Sequence, residues 1–336
     1  MADQDMAARF NEVAARIGPL GDLLRKLPLS IRAQVQEIRL RADRPIVLVL
    51  AKKDLYIRKD GQLVEQVNSS LQLATRSQIE DVFRLLCDSS VYAHQHEICN
   101  GFVTLRGGHR AGLCGTAVLQ DGSISNLRDI SGINLRIARE FCGAANSILS
   151  FLKKNGRVCG TILVGPPGCG KTTLLRDLAR QLSLGALGRC RVVIVDERGE
   201  IAAVSRGVPQ NNVGQCDVLD GYPKGEGILQ AVRCLSPDVI ICDEIGGEAD
   251  AHAVATGLNA GATVIASAHA SSIKELVSRI SIRPVLQTGA FAQAILLYGR
   301  DKPGQVRAFY QEGGQDGFKN IGSSHAIQRV YDDRLA

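Results

Sequence analysis

Eight consecutive residues, Gly165-Pro166-Pro167-Gly168-Cys169-Gly170-Lys171-Thr172, fit the phosphate-binding pattern GxxxxGK[ST]. The glycines let backbone N–H groups turn inward onto phosphate oxygens, aided by the positive end of the helix that follows. Lys171 is placed to neutralise β- and γ-oxygens, Thr172 to offer its hydroxyl to Mg²⁺, and Thr173 to reach the α-phosphate. A second carboxylate is needed to hold that metal. Val239-Ile240-Ile241-Cys242-Asp243-Glu244 supplies it, an apolar run ending in Asp-Glu in the Walker B manner. Asp243 is the metal carboxylate of this pattern, and Glu244 is a candidate to polarise an attacking water. A Glu directly after the Asp favours ATP-driven motors over GTP switches, and no NKxD guanine-reading motif follows. ATP and Mg²⁺ are therefore the expected nucleotide and metal.

Two more clusters follow apolar runs. Val195-Asp196-Glu197-Arg198-Gly199-Glu200 gathers three acids and an arginine, and Ala266-Ser267-Ala268-His269-Ala270-Ser271 presents one histidine. In an open α/β sheet, ligands bind at the carboxyl ends of the strands, so these clusters should share a crevice with the phosphate loop. His269 is then placed to sense the γ-phosphate. Glu197 and Glu200 either serve the chemistry or pair with Arg198.

The elements that must position these groups follow a clear rhythm. Apolar strands are expected over 158–164, 192–195, 239–242, 263–266 and 292–297, with helices over about 172–182, 225–234, 249–258 and 272–280. That alternation calls for a parallel sheet covered on both faces, with an edge strand added over 306–310. Before it the chain is mixed α and β. A helix containing 6–17, strands over 45–50 and 54–58 joined to a Lys59-Asp60-Gly61 turn, a helix from 75 to about 86, and strands near 102–106 and 111–118 are expected. Ser77 and Glu80 have the spacing of a capping box. The change falls within 141–157, giving a smaller α+β domain over 1–145 and an α/β P-loop domain over 146–336.

Composition narrows the function classes. At 336 residues, 45% hydrophobic and 22% charged, the chain has the make-up of a folded globular protein. It has no run of about 18 apolar residues, as a membrane-spanning helix needs, and no signal-peptide block opens it. Its ten cysteines include no CxxC pair and none at zinc-ligand spacing. A reduced, cytoplasmic protein is expected. The net charge of +6 is evenly spread, with 19 Lys+Arg against 16 Asp+Glu up to residue 150 and 21 against 18 beyond it. There is no Trp and aromatics make up 4%, so a nucleic-acid partner is disfavoured; a RecA-like ATPase acting on nucleic acid is the alternative reading.

With its four boxes in order, the chain resembles the secretion ATPase superfamily of type II and type IV secretion motors and pilus retraction ATPases. The matching segments are the phosphate loop, Asp196-Glu197-Arg198-Gly199-Glu200-Ile201, SPDVIICDEIGGEA and ASAHASS. The resemblance implies a RecA-like P-loop fold, a catalytic glutamate at Glu200 with Glu197 nearby, and a His-box histidine at His269. Asp243 departs from the glycine common before the Walker B Glu in that superfamily, which leaves both Glu200 and Glu244 as candidates for the base. The resemblance further implies that N-terminal arginines reach the γ-phosphate, for which Arg106, Arg110, Arg136 and Arg139 are candidates. It also implies a homo-oligomeric ring of six, with Arg206 and Arg233 as candidate fingers across a subunit boundary.

A closer resemblance, over most of 35–300, is to the stage III sporulation ATPases of endospore-forming bacteria. The segments EIRLRADRPI, GFVTLRGGHRAGLCG, INLRIARE, VDERGEIA and DVLDGYPKGEG carry it. It implies an ATP-hydrolysing motor on the mother-cell side of a membrane. There it would energise the channel joining mother cell to forespore, with membrane-embedded sporulation channel proteins as partners.

Overall fold

The computed structural model describes residues 2–322 apart from 89, 140, 155, 206 and 314–316. The chain forms two compact units, one of residues 1–139 with 205–210, the other of 140–204 with 211–336.

The N-terminal unit is built on a seven-stranded sheet in the order Leu63–Val64, Asp54–Ile57, Val47–Val49, Glu37–Arg41, Ser123–Arg136, Arg110–Gln120, Phe102–Thr104. Every pairing in it is antiparallel. Strand Glu37–Arg41 shows why: Ile38 and Leu40 are buried while Arg41 is exposed, the period-two pattern of a sheet with one covered face. Phe10, Val13, Ile17, Leu24, Ile79 and Val82, most of them from the helices Ala2–Ala14, Pro19–Arg25 and Arg76–Leu86, cover that face. The expected first helix over 6–17 starts earlier and stops at Ala14, because Gly18 (φ +59°) and Pro19 begin a new helix. The capping box at the third helix is Thr75 with Gln78, not Ser77 with Glu80. Thr75 Oγ1 accepts from Gln78 N, and the Gln78 side chain accepts from Thr75 N.

In the C-terminal unit six parallel strands run in the order Asp217–Asp220, Val192–Asp196, Val239–Cys242, Thr263–Ala268, Thr161–Val164, Gln293–Leu297. Val306–Glu312 and Phe318–Gly322 extend this sheet antiparallel. The apolar runs explain the burial on both faces. Ile162, Val164, Val193, Val195, Ile240 and Cys242 point into one core, and Leu163, Val192, Ile194, Val239 and Ile241 into the other. The helices Lys171–Ser183, Lys224–Leu235 and Glu248–Asn259 lie within a residue or so of their expected limits. This is the α/β architecture expected from the sequence. Edge strand Asp217–Asp220 is an addition, being only half buried and acidic at both ends.

Candidate functional site

The phosphate loop joins the fully buried strand Thr161–Val164 to the helix beginning at Lys171. Gly170 has φ +94°, and a Cβ there would stand 2.7 Å from Gly304 N. Only glycine fits where the 299–304 turn closes on the loop, with Gly304 N donating to Cys169 O at 2.8 Å. Arg300 lies over the same loop, its Nε donating to Pro167 O at 3.0 Å. Pro166 is half-buried, while Pro167 and Gly168 are exposed at the mouth. The Cys169 thiol faces inward, fully buried, and burial pushes its pKa up.

Lys171 is buried, and its Nζ donates to Gly165 O at 2.8 Å, Pro166 O at 3.1 Å and His269 Nδ1 at 3.0 Å. Burial lowers its pKa, opposed by the negative groups around it, Asp243 and Glu244 among them. Because an ammonium only donates, Nδ1 of His269 must accept, which puts the ring proton on Nε2 facing Glu244 Oε1. The other Glu244 oxygen pairs with Arg198 at 3.1 Å. Thus Lys171, His269, Glu244 and Arg198, spread over about a hundred residues of sequence, form one chain of polar contacts. Glu244 has φ +29°, a conformation costly for a non-glycine residue. Its N–H is turned onto Asp243 Oδ1 and Ser267 Oγ.

Asp243 stands at the end of its buried strand, 3.2 Å from the Thr172 hydroxyl through Oδ2. Ser267 Oγ donates to Oδ1 at 2.6 Å and fixes the carboxylate plane. Two hard oxygen donors from the phosphate-loop helix and the neighbouring strand, oriented by a third group, suit a Mg²⁺ ion that keeps most of its waters. The glycine-rich loop around Lys171 suits phosphate oxygens.

The acidic box is organised by Asp196. This carboxylate is 1% exposed and accepts from the backbone N–H groups of Glu200, Ile201 and Ala202 at 2.8–3.0 Å. Burial, with the nearby Asp243 charge adding, pushes its pKa above the usual carboxylate range in spite of those three donors. The loop it folds presents Glu197, Arg198 and Glu200, all exposed. Arg176, one turn after Thr172, donates to the carbonyls of Glu200 and Ile201 at 2.7 Å each, tying the box to the phosphate-loop helix. Glu197 pairs with Lys224.

Beside Thr173 a shallow hollow is lined by Phe141, Arg176, Arg180 and Asn212. Its wall is held by the buried Asp177, which accepts from Gly143 N, Ala145 N, Arg180 and Gln181. Sequence reasoning passed over Asp177, Asp196 as a clamp, Ser267 and Arg300. Two of these carried a signal, Asp196 as an acid of the box and Ser267 two residues before the singled-out histidine.

The N-terminal arginines part company. Arg110 lies 3.5 Å over the Phe102 ring and is the register partner of the exposed Arg136. Arg139 donates to the carbonyls of Gln34 and Val35. Arg106 is exposed at the rim of a separate hollow. Of the candidate fingers, Arg233 is exposed near the end of its helix, and Arg206 lies outside the described residues. Among the described residues no set of three or more His, Cys, Asp and Glu could hold a metal ion, and no helix is long and apolar enough to cross a membrane.

Parallel strands ending in a phosphate loop, a metal-suited Asp and an acidic box define a RecA-like P-loop protein of the secretion ATPase fold. The solved structure of the pilus retraction motor PilT with bound ADP matches with a TM-score of 0.50 at 16% identity, over 89% of this chain and 84% of that one. The ATPase DotB of Yersinia pseudotuberculosis also gives 0.50, at 12% identity, over 89% and 82%. Within this fold the sequence is more specific. The family described as "Sporulation stage III, protein AA" matches residues 16–316, and the chain belongs to it. Stage III sporulation protein AA of Bacillus subtilis (strain 168) is 38% identical over 309 residues, 91% of this chain and 96% of that relative.

Proposed function

We propose that the protein is a Mg²⁺-dependent ATPase, a motor subunit that serves endospore formation. The observation that carries the reading is the convergence on Lys171 and Thr172 of Asp243 and His269, each from the end of a different parallel strand. Thr172 and Asp243 would hold the Mg²⁺, which when bound neutralises charge on the β- and γ-phosphates. Phosphate entry takes Lys171 away from the carbonyls of Gly165 and Pro166 and from His269, so the ammonium moves from protein acceptors to developing charge on the substrate. Thr173 would reach the α-phosphate from the first turn of the same helix.

We assign Glu200 as the carboxylate that orients the attacking water. Both oxygens of Glu244 are already engaged, one by the Nε2–H of His269 and the other by Arg198. The backbone at Glu200 is instead fixed by Asp196, beside the helix that carries Thr172. Glu197 neutralises Lys224 at the edge of the box. The family membership supports a place in sporulation. On it, and on the resemblance to secretion motors, rests the further proposal of a six-membered ring. That ring would work at the cytoplasmic face of the mother-cell membrane on channel proteins embedded there.

The deciding experiment is ATP turnover by the purified chain, with Mg²⁺ or EDTA and with or without DNA. Turnover that needs Mg²⁺, ignores DNA and falls at least a hundredfold in Lys171→Ala with an unchanged circular dichroism spectrum is expected. Substantial turnover by Lys171→Ala removes the reading. Stimulation by DNA replaces the channel motor with a nucleic-acid motor.

A further inference from the structure

The N-terminal unit contains a hollow lined by its own residues. It has a volume of about 480 Å³ and is lined by Arg9, Glu12, Ala15, Arg16, Arg106 and Gly107. That is the size of a small-ligand pocket, and three of its six lining residues are arginines.

The hollow is held in shape from below. His109 is buried, and its Nδ1 accepts from Ala138 N at 3.0 Å, so the ring proton sits on Nε2 and is donated to Glu12 Oε2 at 3.0 Å. Arg9 donates to Gly107 O at 3.1 Å, and Gly107 N donates to Gln210 Oε1 at 3.0 Å. Gly107 has φ +84°, a left-handed conformation that favours glycine, and a Cβ there would stand 2.6 Å from Glu12 Oε2. The one carboxylate in the lining is thus engaged by His109 and Arg9. The positive groups are less well matched. Arg16 reaches Asp88 only at 3.9 Å, and among the described residues Arg106 has no hydrogen-bond or ion-pair partner. Burial lowers the pKa of His109; Glu12 opposes this, and Arg9 and Arg16 add to it.

We propose that this hollow is a second anion site, taking a phosphate-bearing small molecule with Arg106, Arg16 and Arg9 as its donors. Guanidinium forks match phosphate oxygens two at a time, and the concave shape and volume fit a ligand of mononucleotide or pyrophosphate scale better than a protein surface. None of its residues belongs to the phosphate loop or to the strand ends around it, although Arg106 is also among the arginines that the resemblance to secretion motors implies for the γ-phosphate.

The test is calorimetric titration of pyrophosphate into the full chain carrying Lys171→Ala, which disables the phosphate loop, in low and moderate salt. Saturable binding is expected, weakened about tenfold or more by Arg106→Ala, less by Arg106→Lys, and weakened also by salt. Arg106 is exposed and without a partner among the described residues, so this variant leaves the fold intact even if Arg9→Ala does not. Three results overturn the proposal: no saturable binding in the Lys171→Ala chain, equal affinity in Arg106→Ala, or citrate binding as tightly as pyrophosphate.

Discussion

In the C-terminal unit the polar groups stand where parallel strands end. Asp196, Asp243 and Ser267 come from three adjacent strands, and the phosphate loop leaves a fourth. In the N-terminal unit the sheet is antiparallel, so neighbouring strands end on opposite sides. Its polar cluster is assembled from a helix (Arg9, Glu12, Arg16), a turn (Arg106, Gly107, His109) and the returning 205–210 segment (Gln210). The difference lies in how each cluster is held. One is fixed by a sheet buried on both faces, the other by a single buried histidine and a glycine contact. The first should respond to substitution mainly through chemistry, the second mainly through pH and packing.

The largest effect that tests this contrast lies in the acidic box. Glu200→Gln keeps the backbone contacts to Asp196 and Arg176, so the fold should be unchanged while turnover falls about a hundredfold or more. Glu244→Gln breaks the pairs with His269 and Arg198 and should cost less, on the order of tenfold. Steady-state rates of the two variants decide the matter. If Glu244→Gln is the dead enzyme and Glu200→Gln the impaired one, the base assignment is reversed.

Next in size is Asp196→Ala. Here chemistry and fold are joined, because three backbone N–H groups lose their acceptor, two of them buried. Leaving such donors unsatisfied costs roughly 1–3 kcal/mol each. A loss of several kcal/mol in urea-induced unfolding, together with loss of turnover, is expected. Wild-type stability in this variant would show that the box is held by Arg176 alone.

These side chains also show how far the sequence could be read. The phosphate loop, Asp243 and His269 were legible because local motifs fix them: a short, mainly apolar run sets a buried strand, and the residue after it must emerge at the carboxyl edge. The parallel sheet followed from the same runs. Asp196 was visible as an acid but not as a clamp, since its partners are backbone N–H groups of a loop whose path only the folded chain defines. Strand Ser123–Arg136 escaped notice because Ser, Asn and Asp make up four of the seven residues of its first half, and it is paired by its neighbour rather than by its own propensity. Thr75 and Ser77 both precede a glutamine or glutamate by three, so spacing alone could not choose between them; the helix begins at Arg76 and selects Thr75. The N-terminal arginines looked alike in sequence, yet one stacks on Phe102, one binds carbonyls and one lines a hollow.

The smallest effect concerns His109 and bears on the weaker of the two designs. Burial lowers its pKa below the ordinary 6.5, outweighing the Glu12 contact that acts to raise it. Protonating Nδ1 would also cost the hydrogen bond from Ala138 N. The unfolded chain therefore binds a proton here more readily than the folded one. Above pH 6.5 both states carry neutral imidazole and the residue contributes no slope. As pH falls through 6.5 towards the lower folded-state value, stability drops by at most about 1.4 kcal/mol per pH unit. His109→Gln removes this one titration whatever its effect on absolute stability, so the comparison is of slopes. Urea midpoints between pH 5 and 7 should fall less steeply in the variant than in the wild type. Equal slopes would mean that His109 takes up its proton in the folded chain as easily as in the unfolded one, and the N-terminal cluster would then not depend on a neutral histidine at its centre.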